Sequence, residues 1–214
     1  MRIKTLEATG IGPAIRAMRN PYESYERSDT VLGRIGERDA ELAESLAKAG
    51  PPHCKHLRMI QVWAEIWAPR FWWQEFDTNR IGVEKVSCST MHKLTSRPLS
   101  REDFEWDGKM SDLDELIRWL NIRILAHNTA KTEEEKERAF RILKQSLPES
   151  FIQRRTVMMS YQALRNMYEQ RKGHRLKEWQ IFRSWCETLP EAWLITGRDV
   201  LPFSEPPTDD DDDE

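Results

Sequence analysis

From Leu57 to Trp67 the sequence alternates. Ile60, Val62, Ala64 and Ile66 fall on one side of an extended chain, and Gln61, Trp63, Glu65 and Trp67 on the other. A period of two does not suit an amphipathic helix, so the chain must contain a sheet with one fully apolar face, and Pro69 ends this strand. Most other apolar residues recur at helical spacing. In Glu37 to Ala49, the residues Ala40, Ala43, Leu46 and Ala47 share a face, and Gly50-Pro51-Pro52 supplies the stop. Ser111 with Asp114 reads as a capping box ahead of Leu113, Leu116, Ile117, Leu120 and Ile124. Thr132 with Glu135 opens another helix, with Ala139, Phe140 and Leu143 on its buried side and Leu147-Pro148 at its end. From Ser160 onward, Tyr161, Leu164, Tyr168 and Arg171 are in register. Gly173 breaks that helix, which resumes through Leu176, Trp179, Phe182 and Trp185. Further strands are expected at Arg2 to Glu7 and around Val157. Helices with a small sheet make the expected class α+β.

With 214 residues, 39% hydrophobic and 32% charged, the chain can build one sizeable core, expected as a single domain over residues 1–203. Asp209 to Glu214 form an acidic block that repels its own compaction, so residues 204–214 are expected to be a disordered acidic tail. Removing those six charges takes the formal net charge from -3 to +3. A mildly basic body is too weak for a specific nucleic-acid partner but suits a pocket for a phosphorylated small molecule. No apolar run approaches a membrane span, and Met1-Arg2-Ile3-Lys4 does not begin a signal peptide, so no membrane association is expected. Cys54, Cys88 and Cys186 are odd in number and form no CxxC, which excludes a disulfide framework and a thiolate zinc site and points to a cytoplasmic setting.

Serine-hydrolase, P-loop, dinucleotide-fold and HExxH signatures are all missing. His53 and His56 form a lone His-x-x-His pair without further ligands at metal-site spacing. What stands out is a set of cations among aromatics: Arg70, Arg80, Lys144, Arg154, Arg155, Arg165, Arg171, His174 and Arg175. Arginine forks suit phosphate and aromatic faces suit a base or a flavin ring. The same residues also fit solvated helix faces over a tryptophan core. Residues 86–92 crowd small hydroxyl and thiol groups, either as ligand arms or as a helix cap. Phe71-Trp72-Trp73 with Trp67 are open to two readings, core or partner surface.

Three motifs in a consistent order, over about residues 53 to 185, resemble the flavin-dependent thymidylate synthases. The first is Glu65-Ile66-Trp67-Ala68-Pro69 followed by Glu75-Phe76-Asp77-Thr78-Asn79-Arg80, where the family has a strand, a proline and a stretch ending in Arg-His-Arg. Ser87, Ser89 and Met91-His92 then stand where the family has Ser, Ser and Arg-Tyr, allowing one inserted residue. The second is Lys144-Gln145-Ser146-Leu147-Pro148, similar to Arg-x-x-Leu-Pro. The third runs from Ser160 to Arg171 and then Glu178-Trp179-Gln180-Ile181-Phe182, similar to Asn-x-Arg-x-Leu-x-Asn-Phe-x-x-x-Arg and Gln-Trp-Glu-Ile-Arg. Departures are plain. The Arg-His of Arg-His-Arg is Thr78-Asn79, the arginine before tyrosine is Met91 or Thr90, the flavin-contacting asparagine is Ser160, and only His53 survives of Gly-His-x-Ser-x-x-Glu-His.

The resemblance implies a small twisted, mainly antiparallel sheet covered by helices, and a homotetramer with FAD between subunits. It implies Glu75, Ser87, Ser89, Lys144 and Arg171 as substrate contacts, with Glu75 replacing a family glutamine. His53, Asn79, Arg80, Ser160 and Asn166 are implied as cofactor contacts. The implied reaction is methyl or hydroxymethyl transfer to deoxyuridylate or a related pyrimidine nucleotide, with NADPH and folate as co-substrates. The departures leave open a relative that captures or senses a nucleotide without turnover, because missing donors remove electrostatic preorganisation while phosphate binding tolerates lysine for arginine.

Overall fold

The computed structural model describes residues 1–31 and 34–197. In chain order its elements are β1 (Arg2–Thr9), α1 (Ile11–Ala17), α2 (Glu37–Lys48), α3 (Lys55–Met59), β2 (Gln61–Pro69), α4 (Arg70–Phe76) and β3 (Val83–Ser87). They continue as α5 (Thr90–Lys93), α6 (Met110–Asn128), α7 (Glu133–Ser146), β4 (Ile152–Ser160), α8 (Tyr161–Gln170), α9 (Lys177–Glu187) and α10 (Trp193–Thr196). The expected α+β class is the one observed, helices with one four-stranded antiparallel sheet. Two compact units divide the chain, Met1–Glu7 with Val62–Met159 and Ala8–Gln61 with the segment from Ser160 onward. The acidic block expected as a tail over 204–214 lies outside the described residues.

The first unit holds the sheet, ordered β1-β2-β4-β3. On β2, Val62, Ala64, Ile66 and Ala68 are fully buried, as the alternation predicts. On its other face Trp67 lies under the guanidinium groups of Arg2, 3.8 Å from the ring centre, and Arg154, 5.1 Å away, and Arg154 also pairs with Glu65. The chain leaves β2 at Pro69 and turns at once into α4, which buries Trp72, Trp73 and Phe76. β3 pairs antiparallel with β4, Val83 opposite Met159 and Ser87 opposite Arg155. A second cluster forms around α6 and α7, where Leu113, Leu120 and Ile124 meet Leu143 and Leu147. The Thr132 capping box is present as expected, with Thr132 Oγ1 accepting from Glu135 N at 3.2 Å. Ser111 corrects an expectation: α6 begins at Met110 with Lys109 as its N-cap, and the Ser111 hydroxyl donates to Asp112 instead.

The second unit is helical. α8 buries Tyr161, Leu164, Met167 and Tyr168, and α9 buries Trp179, Phe182, Trp185 and Cys186. The break between them falls where expected: Arg171 is the C-cap of α8 and Gly173 takes a left-handed φ of 68°. The alternating segment begins at Gln61 rather than Leu57. Leu57 N donates to Cys54 O and the side chain is fully buried in α3, a helix packed on α8 and α1. Gly10, at φ 88°, makes the turn from β1 into α1. A Cβ there would lie 2.6 Å from the Met59 carbonyl oxygen, so only glycine fits the approach.

Candidate functional site

In the first unit the structure joins two of the motifs. Ser89 caps α5, its Oγ accepting from Met91 N, so the cap reading of that hydroxyl is the observed one. Next to it, Lys144 reaches from α7 to donate from Nζ to Thr90 Oγ1 at 2.6 Å. Burial and the charge of Arg70 both push the Lys144 ammonium below its ordinary range, so an anion brought beside it would be favoured. A cavity of about 330 Å³ opens beside this cluster, lined by Cys88, Ser89, Thr90, Lys93, Arg97 and Arg154 among others. Ser87 is exposed at the end of β3. Glu75, Asn79 and Arg80 follow one another at the end of α4: Glu75 is half-buried, Asn79 donates to Phe76 O, and Arg80 is exposed. The neighbouring Arg155 is held by Asp77 and lies over the Trp73 ring, so its charge is already used within the fold.

In the second unit the residues implied by resemblance are spread along α8. Ser160 is buried and caps the helix, accepting from Ala163 N at 3.2 Å. Asn166 is exposed and accepts from Gln162. Arg171 sits at the opposite end of α8 from Ser160, its guanidinium 4.4 Å from the centre of the Trp179 ring. His53 stands apart from all three, on the wall of a cavity of about 840 Å³ with Arg19, Tyr22, Arg27, Lys55 and His56. Its apolar lining includes Leu42, Leu46 and Met59. Two short 3₁₀ turns, Asn20–Tyr22 and Tyr25–Arg27, form much of its rim. Nothing in the local sequence marks them, since single turns carry no periodicity.

Behind that rim lies a buried ion pair. Arg19 donates to Asp39 Oδ1 from Nε at 2.9 Å and from Nη2 at 2.6 Å, and Asp39 Oδ2 accepts from the hydroxyls of Ser28 and Thr30, each at 2.6 Å. Burial by itself would raise the Asp39 carboxyl, but these donors outweigh it and hold it below the ordinary carboxylate range.

His56 is 3% exposed, and neither ring nitrogen has a hydrogen-bond partner among the described residues. Burial lowers its pKa from 6.5 to about 4, the charge of Arg165 adds to that, and the nearby His53 backbone opposes it from outside hydrogen-bonding geometry. The ring is therefore neutral at pH 7. Below about pH 6.5 the unfolded chain takes up a proton that the folded ring refuses, until the folded pKa near 4 is reached. Stability is expected to fall by up to about 3 kcal/mol across that window. Urea unfolding at a series of pH values checks this, and His56→Gln should flatten the slope. An equal slope in the variant would show that other groups are responsible. Among the described residues no three His, Cys, Asp or Glu side chains gather as a metal site, and no helix is long and apolar enough to cross a membrane.

No protein-family model matches the chain, and no curated protein matches its sequence. Solved structures do. Flavin-dependent thymidylate synthase ThyX from Helicobacter pylori, complexed with FAD and dUMP, matches at a TM-score of 0.72 and 20% identity, over 93% of this chain and 99% of that one. A second structure of Helicobacter pylori thymidylate synthase X with FAD and dUMP matches at 0.70 and 21% identity, over 91% and 97%. The three motifs and the architecture thus agree, and the chain has the fold of the flavin-dependent thymidylate synthases.

Proposed function

We propose that this chain is a nucleotide-binding protein that takes FAD as cofactor and a pyrimidine nucleotide, deoxyuridylate or a close relative, as its second ligand. The observation that carries the reading is the likeness of fold over nearly the whole of both chains to a protein solved with FAD and dUMP. In the first unit, Lys144 beside the Ser89–Thr90 turn offers charge and hydroxyl groups to a phosphate, with Glu75 and Ser87 as further substrate contacts. In the second, Arg171 adds a substrate cation. The 840 Å³ cavity is of a size to take a large part of a flavin nucleotide, with His53 and Lys55 for its phosphates and Leu42, Leu46 and Met59 for a ring. The orphaned His56 nitrogens on its wall fit a polar occupant. Asn79, Arg80, Ser160 and Asn166 complete the proposed cofactor set. Bound flavin would supply hydride for methyl or hydroxymethyl transfer to the nucleotide, with NADPH and folate as co-substrates. Residues 1–203 act as one functional domain, in a cytoplasmic homotetramer.

A second reading is capture of a nucleotide without turnover. It is favoured by the engagement of Ser160 as a helix cap, which leaves one arm fewer for a flavin.

Calorimetric titration with FAD and with dUMP tests the common part. Both should bind, and the purified protein should absorb as a flavoprotein. Lys144→Ala and Arg171→Ala are each expected to weaken dUMP binding by about 1.5 to 3 kcal/mol, the scale of a charge-assisted hydrogen bond. Equal affinities in all three proteins, or no binding, would overturn the site. NADPH oxidation stimulated by dUMP separates the enzyme from the capture protein.

A further inference from the structure

A smaller cavity of about 290 Å³ lies in the second unit among α2, α3, α8 and α10. Its polar wall has the charged or titratable side chains Glu44, Lys48, His56, Arg165 and Glu169 together with Thr196, and Trp193 and Leu57 are among its apolar side chains. His56 lines both this cavity and the larger one. The resemblance to the thymidylate synthases assigns none of these residues a role.

Three features restrict what fits. The volume is at the low end of ligand sites, enough for a molecule of about ten non-hydrogen atoms and too small for a nucleotide. The wall is electrically balanced: Lys48 pairs with Glu44 at 2.8 Å, and Arg165 faces the same space as Glu169, one turn further along α8. A plain anion would meet Glu169 and a plain cation would meet Arg165. Finally, a buried neutral imidazole carries one donor and one acceptor, and a buried polar group without a partner calls for one in the space it borders. Arg165 is fixed at the wall by the bond from Nη1 to Leu194 O, 3.2 Å.

We propose that this cavity binds a small zwitterion, an α-amino acid, whose carboxylate accepts from the Arg165 fork and a His56 ring N–H and whose ammonium group pairs with Glu169. The site is separate from the proposed nucleotide and flavin contacts, apart from sharing the His56 ring with the flavin cavity.

The test is titration of the full chain at pH 7 with each of the twenty L-amino acids, and with acetate and methylammonium as fragment probes, while the ¹⁵N resonances of the His56 ring are followed. At least one amino acid is expected to bind and move those resonances, with both fragments at least tenfold weaker. Arg165→Gln should abolish binding. Because that change also removes the bond to Leu194, Glu169→Gln at an exposed position is the decisive variant: it should weaken the amino acid about tenfold or more and leave acetate unchanged or tighter. Acetate binding as tightly as any amino acid, an unchanged affinity in Glu169→Gln, or unmoved His56 resonances with every probe would each overturn the proposal. FAD titration of the same samples keeps this result distinct from the flavin reading, since FAD binding without amino-acid binding defeats this site alone.

Discussion

Asp39→Ala is expected to lower stability by about 3 to 5 kcal/mol, the cost of leaving one partner of a buried ion pair uncompensated. Asp39 is fully buried, and Arg19 nearly so. Removing the carboxylate strands the guanidinium, which among the described residues keeps only a long contact with Arg27 O at 3.4 Å, and deprives the Ser28 and Thr30 hydroxyls of their acceptor. Arg19, Asn20, Tyr22 and Arg27 line the cavity proposed above for the flavin, so on that proposal loosening this segment should weaken FAD binding as well. Replacing both partners by apolar residues, Arg19→Met with Asp39→Leu, should recover much of the loss, since desolvating the pair offsets most of its attraction. Acid acts in the same sense. The folded carboxyl titrates below its ordinary value near 3.8, so its contribution is intact above that pH and is lost as pH falls through the folded value. Chemical denaturation of the two variants decides the matter, and a loss below about 1 kcal/mol in Asp39→Ala would mean that solvent reaches the pair.

Trp73→Ala is expected to cost a similar 3 to 5 kcal/mol in the first unit, the range for deleting a buried aromatic. Trp73 is 1% exposed. Its ring meets Trp72 edge to face at 4.9 Å and Phe76 at 5.3 Å, and its Nε1 donates to Gln153 O at 2.9 Å. On its other side the Arg155 guanidinium lies 4.2 Å from the ring centre. Truncation therefore opens a cavity, removes a donor from the Gln153 carbonyl of β4 and removes the surface against which Arg155 is held. Trp73→Phe keeps most of the apolar contact and loses the hydrogen bond, and should cost about 1 to 2 kcal/mol. A partner-surface role predicts the opposite pattern: unchanged monomer stability and a changed oligomeric state. Urea unfolding together with sedimentation separates the two.

The sequence by itself determined the elements whose signal is local. The alternation through Val62, Ala64 and Ile66 required a strand with one buried face, and the Thr132–Glu135 box set the start of α7, because period and capping act within one or two turns of chain. The three motifs were legible for the same reason, as short strings of residues. What surrounds them was decided by contacts between distant positions. Leu57 adjoins the alternating run, yet its parity sets it with Gln61 and Trp63 on the less buried face, and its own full burial within α3 claimed it for a helix. Trp72 and Trp73 were open to core or surface readings until the fold buried both and β4 supplied Trp73 with an acceptor 80 residues further on. Lys144 meets Thr90 across 54 residues, and Asp39 collects Arg19, Ser28 and Thr30 from three separate points of the chain. His56 read only as half of a weak metal pair. Tertiary packing alone buried it, left both nitrogens without a partner among the described residues and put two cavities against it, since burial and solvation are properties of the folded surroundings and leave no trace in local spacing.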